Sequence, residues 1–183
     1  MFTRSVRLDR TGPATSYTIT APTNAGSYNV SQQITLTYSG TDVDNVTSIS
    51  AVLDSTTAVA SGGVINAENL TPGAHSIVVI ARDALGNAST TTITIQVHAT
   101  VGGLTTAVND GVSTARITSS ATSSQLLSYL SSAQLALNAL NPTSAKSYLG
   151  LFVSLVHAQS GVSITAAYAA LLAGWAQDLI GRL

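Results

Sequence analysis

The sequence predicts an all-β sandwich over residues 14–100 followed by an all-α antiparallel four-helix bundle over residues 101–183. Three observations lead there. Thr, Val and Ile alternate along the first hundred residues with the two-residue period of a half-buried strand. Leu and Ala then recur every three to four residues, the period of an amphipathic helix. The change falls between Thr100 and Gly103, where Gly102-Gly103 reads as a linker.

The strands follow in order. Tyr17 to Ile19 makes a short one. Ile34, Leu36 and Tyr38 then point one way against Gln33, Thr35 and Thr37. Ile49, Ala51 and Leu53 do the same against Ser48, Ser50 and Val52, and Val64-Ile65 adds another short strand. Ile77, Val79 and Ala81 lie in a more continuously apolar run, the mark of a strand with neighbours on both sides. From Thr91 to Thr100, Ile93, Ile95 and Val97 oppose Thr92, Thr94, Gln96 and His98. Turn formers punctuate these runs at Pro22–Asn24, Gly40–Asn45, Gly62-Gly63, Pro72-Gly73 and Asp83–Asn87. One antiparallel sheet would leave too much Ile and Val in water, so two packed sheets are expected.

The helices are read from their stripes. Leu104, Val108 and Val112 mark the first; Leu126, Leu130, Ala133 and Leu137 the second, which must end near Asn141-Pro142. Thr143 or Ser144 can cap a third, with Ala145, Tyr148 or Leu149, Phe152 and Val156 inward and Gly161 as its left-handed stop. Thr165 caps a fourth, with Tyr168, Leu171 or Leu172, Trp175 and Leu179 inward. A bundle of this size is small for independent stability, which makes docking on the sandwich plausible.

Composition excludes several functions. Charged residues make up 8% of the 183-residue chain, against roughly 25% in ordinary domains, and Ser and Thr fill about a quarter. Net charge is −1, and the basic residues cluster only at Arg4, Arg7 and Arg10. A nucleic-acid surface needs a basic stripe, so none is expected. Cysteine is absent, which removes disulfides and thiolate chemistry. The longest nearly apolar run, Ala166 to Ala176, is about half a membrane span. No signal peptide opens the chain; an exported protein would carry it upstream.

No catalytic constellation can be assembled. His75, His98 and His157 fall in three elements with no partner at metal-ligand spacing. His75 reads as a corner residue bonded to nearby backbone, His98 as solvated, and His157 as a cation at a helix C-terminus. No nucleophile-elbow motif or phosphate-cradling loop is present. Asp9, Asp42, Asp44 and Asp83 are hard oxygen donors in loops and form a candidate calcium set, weighed against the ordinary reading of turn capping. Tyr28 and Trp175 are the candidate ligand-stacking aromatics: Tyr28 because it adjoins Asn24 and Gly26, Trp175 against a reading as core. No cofactor other than calcium is expected.

Four stretches carry family resemblance. Leu70-Thr-Pro-Gly-Ala-His-Ser-Ile-Val-Val-Ile-Ala-Arg-Asp-Ala-Leu-Gly-Asn87 resembles the late strands of bacterial immunoglobulin-like (cadherin-like) repeats, which read L-x-x-G-x-H-x-V-x-V-x-A-x-D-x-A-G-N. Val52-Leu53-Asp54 resembles the L-D-G ending of their middle strand, with Ser55 in place of glycine. Val6-Arg-Leu-Asp-Arg-Thr-Gly-Pro13 resembles the junction between consecutive repeats, which makes residues 1–13 the end of a preceding repeat and a linker. The stretch 101–183 resembles the FIMAH module of secreted bacterial proteins, through Ser124-Gln-Leu-Leu127, Leu130, Ala133, Ala136 and Phe152-Val-Ser-Leu-Val-His-Ala-Gln-Ser-Gly161. The closing Leu171-Leu172, Ala176 and Leu179-Ile180 continue that likeness, while Val153 and His157 depart from its commoner Ile and Asn or Lys.

The resemblance implies an immunoglobulin-like sandwich plus a FIMAH-like helical bundle in a secreted or cell-surface bacterial protein. The expected function is that of a non-catalytic accessory part of a larger protein, acting as a spacer and as a module that meets a protein or cell-envelope component. The alternative is a carbohydrate-binding accessory region of a secreted polysaccharide-active enzyme.

Overall fold

A computed structural model describes residues 8–20 and 27–183. The Pro22–Asn24 turn, Arg4, Arg7 and the start of the Val6–Pro13 junction lie outside the described residues. Among the described residues eight strands come first: β1 (Ala14–Thr20), β2 (Ser27–Asn29), β3 (Gln33–Thr41), β4 (Val46–Leu53), β5 (Thr57–Val59), β6 (Gly63–Asn66), β7 (Gly73–Asp83) and β8 (Ala88–His98). A 3₁₀ turn, Ala67–Asn69, separates β6 from β7. Four helices follow: α1 (Val101–Ser113), α2 (Ser120–Asn138), α3 (Pro142–Gln159) and α4 (Ala166–Arg182). One sheet runs β1-β3-β6 and the other β2-β8-β7-β4-β5.

This corrects the expected fold class. The protein is a mixed α and β structure, 35% strand and 41% helix with two sheets of three and five strands and four helices, not an all-β sandwich plus an all-α bundle. The reason lies in which segments share a core. Among the described residues, 8–20, 34–65 and 75–95 make one compact unit, and 27–33, 66–74 and 96–183 make the other. The helices therefore do not bury their apolar stripes on one another alone: β2, the 3₁₀ turn and the end of β8 belong to the same unit.

In the first unit the alternation predicted from sequence sets the buried face. Ile34, Leu36, Tyr38, Ala51, Leu53, Ile77, Val79, Ala81, Ile93 and Ile95 are all buried. β7, the continuously apolar run, has β8 on one side and β4 on the other. β1 pairs antiparallel with β3 from Ala14↔Thr41 to Thr20↔Thr35, so the chain before β1 meets the turn after β3. That register sets the position of the acidic loops described below. The middle-strand ending also has a physical account. Asp54 and Ser55 both adopt positive φ, 48° and 61°, a region glycine enters freely and L-residues enter at a cost.

In the second unit the buried residues come from strands and helices alike: Tyr28, Val30, Ala67 and Val97 with Leu104, Leu126, Leu130, Phe152, Leu172 and Trp175. β2 pairs in parallel with the end of β8, Tyr28 opposite Val97. Gly102-Gly103 is not a linker but the first turn of α1, capped by the Thr100 hydroxyl accepting the Gly103 N–H at 3.0 Å. A Cβ on Gly103 would run into the Asn29 side chain and come within 2.9 Å of Val30 Cγ2, so glycine lets the helix approach β2. Val112 is 44% exposed because Gly111, against Tyr168 and Ile117, closes the buried stripe of α1 instead. Asn141, rather than Thr143 or Ser144, caps α3, its Oδ1 taking the Ser144 N–H at 3.0 Å with Pro142 at the first position. Thr165 holds the N-cap position of α4 without a side-chain capping bond, and Gly161 is left-handed at φ 73°.

Candidate functional site

The β1–β3 register brings the segment before β1 against the β3–β4 turn, and with it three carboxylates. Asp9, Asp42 and Asp44 each offer an oxygen within 4.8 Å of the others, all partly exposed. Each loop is folded by its own acid. Asp9 Oδ1 accepts the Thr11 N–H at 2.9 Å and the Thr11 hydroxyl at 2.6 Å, and Asp42 Oδ1 accepts the Asp44 N–H at 2.8 Å. Such Asx turns are the local bonding expected of Asp in a turn. Carboxylates this close repel one another unless a cation offsets their charge. Hard oxygen donors at this spacing suit calcium, which takes six to eight oxygens, so backbone carbonyls and water would complete the shell.

Asp83 is not part of that group. Its Oδ1 accepts the Leu85 and Asn87 N–H groups at 2.9 and 2.8 Å, and its Oδ2 accepts the Asn87 side-chain amide at 2.7 Å. Partial burial pushes its carboxyl up, but these bonds and the Gly86 N–H outweigh that and hold it below the usual carboxylate range. Asp83 therefore shapes the Asp83–Asn87 turn, with Gly86 left-handed at φ 90°. The Asn87 side chain also reaches the Asp9 carbonyl at 3.4 Å, tying that turn to the acidic loops.

His75 is buried, His98 half-buried and His157 exposed. His75 Nδ1 lies 2.7 Å from Asp54 Oδ2, a carboxylate partner that the sequence did not announce. Asp54 also accepts the Ser76 N–H at 3.0 Å. Its burial raises the carboxyl while the His75 bond, the Ser76 bond and the His75 charge lower it, and the net is downward. His157 lies in the last turn of α3, where a cation favours the helix dipole.

Neither candidate aromatic offers a ring to solvent. Tyr28 is 2% exposed because β2 packs it inward, which corrects its reading as an exposed residue. Trp175 is fully buried, and its indole N–H donates to the Leu70 carbonyl at 2.8 Å. A stacking platform for sugar therefore cannot be built from these two rings.

One cluster escaped sequence reasoning. Glu68, the chain's only glutamate, is 4% exposed in the 3₁₀ turn and pairs with Arg116 after α1. The Arg116 guanidinium stands 4.0 Å above the Tyr168 ring, whose hydroxyl donates to the Ala107 carbonyl at 2.5 Å. Burial, reinforced by the Glu68 charge, raises the Tyr168 phenol far above its ordinary value. Tyr168 in turn meets Trp175 edge-on, centroids 6.2 Å apart at 84°. The cluster joins the 3₁₀ turn to α1 and α4 inside one unit, and its chemistry is structural. In a chain with so few charges, a lone Glu beside apolar Ala67 and Leu70 was the available signal.

No protein-family model and no curated protein matches the chain. Among the described residues, no helix is long and apolar enough to cross a membrane.

Proposed function

We propose that the chain is a non-catalytic structural and interaction module of a secreted or cell-surface bacterial protein, a spacer that also meets a protein or cell-envelope component. What supports this reading is how the side chains that could do chemistry are used. Asp54 and Asp83 are held below the usual carboxylate range by hydrogen bonds that fold their own turns, and Asp178 is held there by Arg182 and the Ala99 N–H. A general acid needs a carboxyl raised toward neutrality, so these three are set for holding structure. The low charge and hydroxyl-rich surface suit a module that stays soluble without an electrostatic field of its own.

The test is co-sedimentation of the purified chain with washed bacterial envelope fragments and, in parallel, with insoluble cellulose, chitin and starch. The reading expects saturable retention on envelope fragments and none on the glycans. Retention on a glycan that a soluble oligosaccharide competes away, or no retention on envelope material, overturns it.

A further inference from the structure

In the second unit α2 and α3 are joined by a short turn, Ala139-Leu-Asn141. The Leu140 N–H donates to the Leu137 carbonyl at 2.9 Å, and the Asn141 N–H reaches back to the Ala136 carbonyl at 2.9 Å. This way of ending a helix needs a left-handed residue at position 140, a place that glycine fills most often and asparagine next. Here it is leucine, at φ 54°. Its side chain is 90% exposed, so no burial offsets the strain of that conformation. A leucine that is both strained and in water contributes nothing to its own fold.

Its surroundings extend the apolar end. A shallow groove of about 310 Å³ between the end of α2 and the start of α3 is lined by Leu135, Ala136, Ala139 and Tyr148 with uncharged polar neighbours. Leu135 is 66% exposed and Tyr148 37%. No charged residue occurs from 117 to 145, and no Asp or Glu from 111 to 177. The first charge along α3 is Lys146, exposed and without a hydrogen bond or ion pair among the described residues. At a rise of 1.5 Å per residue, Leu135, Lys146 and Tyr148 all lie within about 9 Å of the hairpin's end.

That order along the hairpin suits a membrane interface: an apolar side chain foremost, then a ring with a polar tip, and an amine on a long stem that reaches headgroup phosphate. The depth agrees, since interfacial segments bury their apolar face about 5–10 Å into the boundary between headgroups and acyl chains. The charge agrees with an anionic surface, because the hairpin has a cation and no carboxylate to be repelled. A protein partner would need a pocket shaped for one projecting leucine. A bilayer takes it without one, because its acyl region is apolar throughout.

We propose that the α2–α3 hairpin end docks on the surface of an anionic lipid bilayer, with Leu140 entering the acyl boundary and Lys146 meeting lipid phosphate. The docking is peripheral. It deepens the envelope reading, on which its place in the cell rests, by naming lipid as the envelope component.

The test mixes the full chain with vesicles of phosphatidylcholine alone, or of equal parts phosphatidylcholine and phosphatidylglycerol, and floats them through a density gradient. The chain is expected to float with the anionic vesicles and less with the neutral ones. Leu140→Asn is the deciding variant. Asparagine tolerates the left-handed position, so the melting temperature holds or rises, while partitioning onto vesicles falls about tenfold with the loss of one inserted leucine. Lys146→Gln lowers partitioning about fivefold on anionic vesicles and leaves the neutral ones unchanged. No flotation with anionic vesicles, or equal flotation of wild type and Leu140→Asn, overturns the proposal. Retention on envelope fragments stripped of lipid, equal for wild type and Leu140→Asn, also overturns it, pointing to a protein or polysaccharide and leaving the envelope reading standing. Flotation with vesicles but no retention on envelope fragments contradicts the envelope reading and leaves the lipid docking in place.

Discussion

Trp175→Phe perturbs the second unit where a helix meets the segment before β7. Three losses add. The indole N–H no longer satisfies the half-buried Leu70 carbonyl, which costs about 1 kcal/mol where water partly replaces it and up to about 3 where it does not. The smaller ring leaves space in a fully buried site, about 1 kcal/mol after partial relaxation. The edge-on contact with Tyr168 weakens by a few tenths to about 1 kcal/mol. With imperfect additivity the cost is about 2–4 kcal/mol, or roughly 5–15 °C in melting temperature for a chain of this size. The assay is thermal unfolding followed by helical circular dichroism, with Val162→Ala, at a position 77% exposed, as a control expected within about 0.5 kcal/mol of wild type. If Trp175→Phe melts with the control, the indole is not an anchor and the shared core is misdescribed.

Three further outcomes follow from local geometry. Ser55→Gly relieves a left-handed serine; the gain of about 1 kcal/mol is partly offset by glycine's greater freedom when unfolded, so a net stabilisation of about 0.5 kcal/mol is expected in the urea midpoint. Millimolar calcium raises the melting temperature of the wild type but not of Asp42→Asn, and a calorimetric titration that shows neither heat nor a melting shift removes the calcium site. Asp54, Asp83 and Asp178 all have folded values lowered below the unfolded one, so their stabilising contribution is complete above about pH 4 and is lost as the pH falls through the lowered values. Denaturation midpoints measured across that acid range should fall, with a shallower fall for Asp178→Asn; an unchanged profile contradicts the assignment.

What could be read beforehand is what is local. Strand faces such as Ile34, Leu36 and Tyr38, and helix stripes such as Leu126, Leu130 and Ala133, follow from periodicities within one element, and all six residues are buried. What could not be read depends on partners far along the chain. Glu68 meets Arg116 across 48 positions and Trp175 meets Leu70 across 105, so nothing near either residue announces the pairing. The linker reading of Gly102-Gly103 failed for the same reason, since the demand for glycine comes from Asn29 and Val30. Sequence named Asp9, Asp42 and Asp44 as loop donors, but their convergence depends on the β1–β3 register. Asp83 did carry a local signal, an asparagine four residues on that takes both of its oxygens.

Native-state hydrogen exchange tests the shared core most directly. The Ala67 amide donates to the Gln32 carbonyl, and Leu70 to Ala67, inside the unit that contains α1 and α4. If strand, turn and helix form one cooperative unit, these amides open with the same free energy as those in the middle of α4. Exchange of Ala67 and Leu70 at the rates of a surface loop, while α4 stays protected, would contradict it.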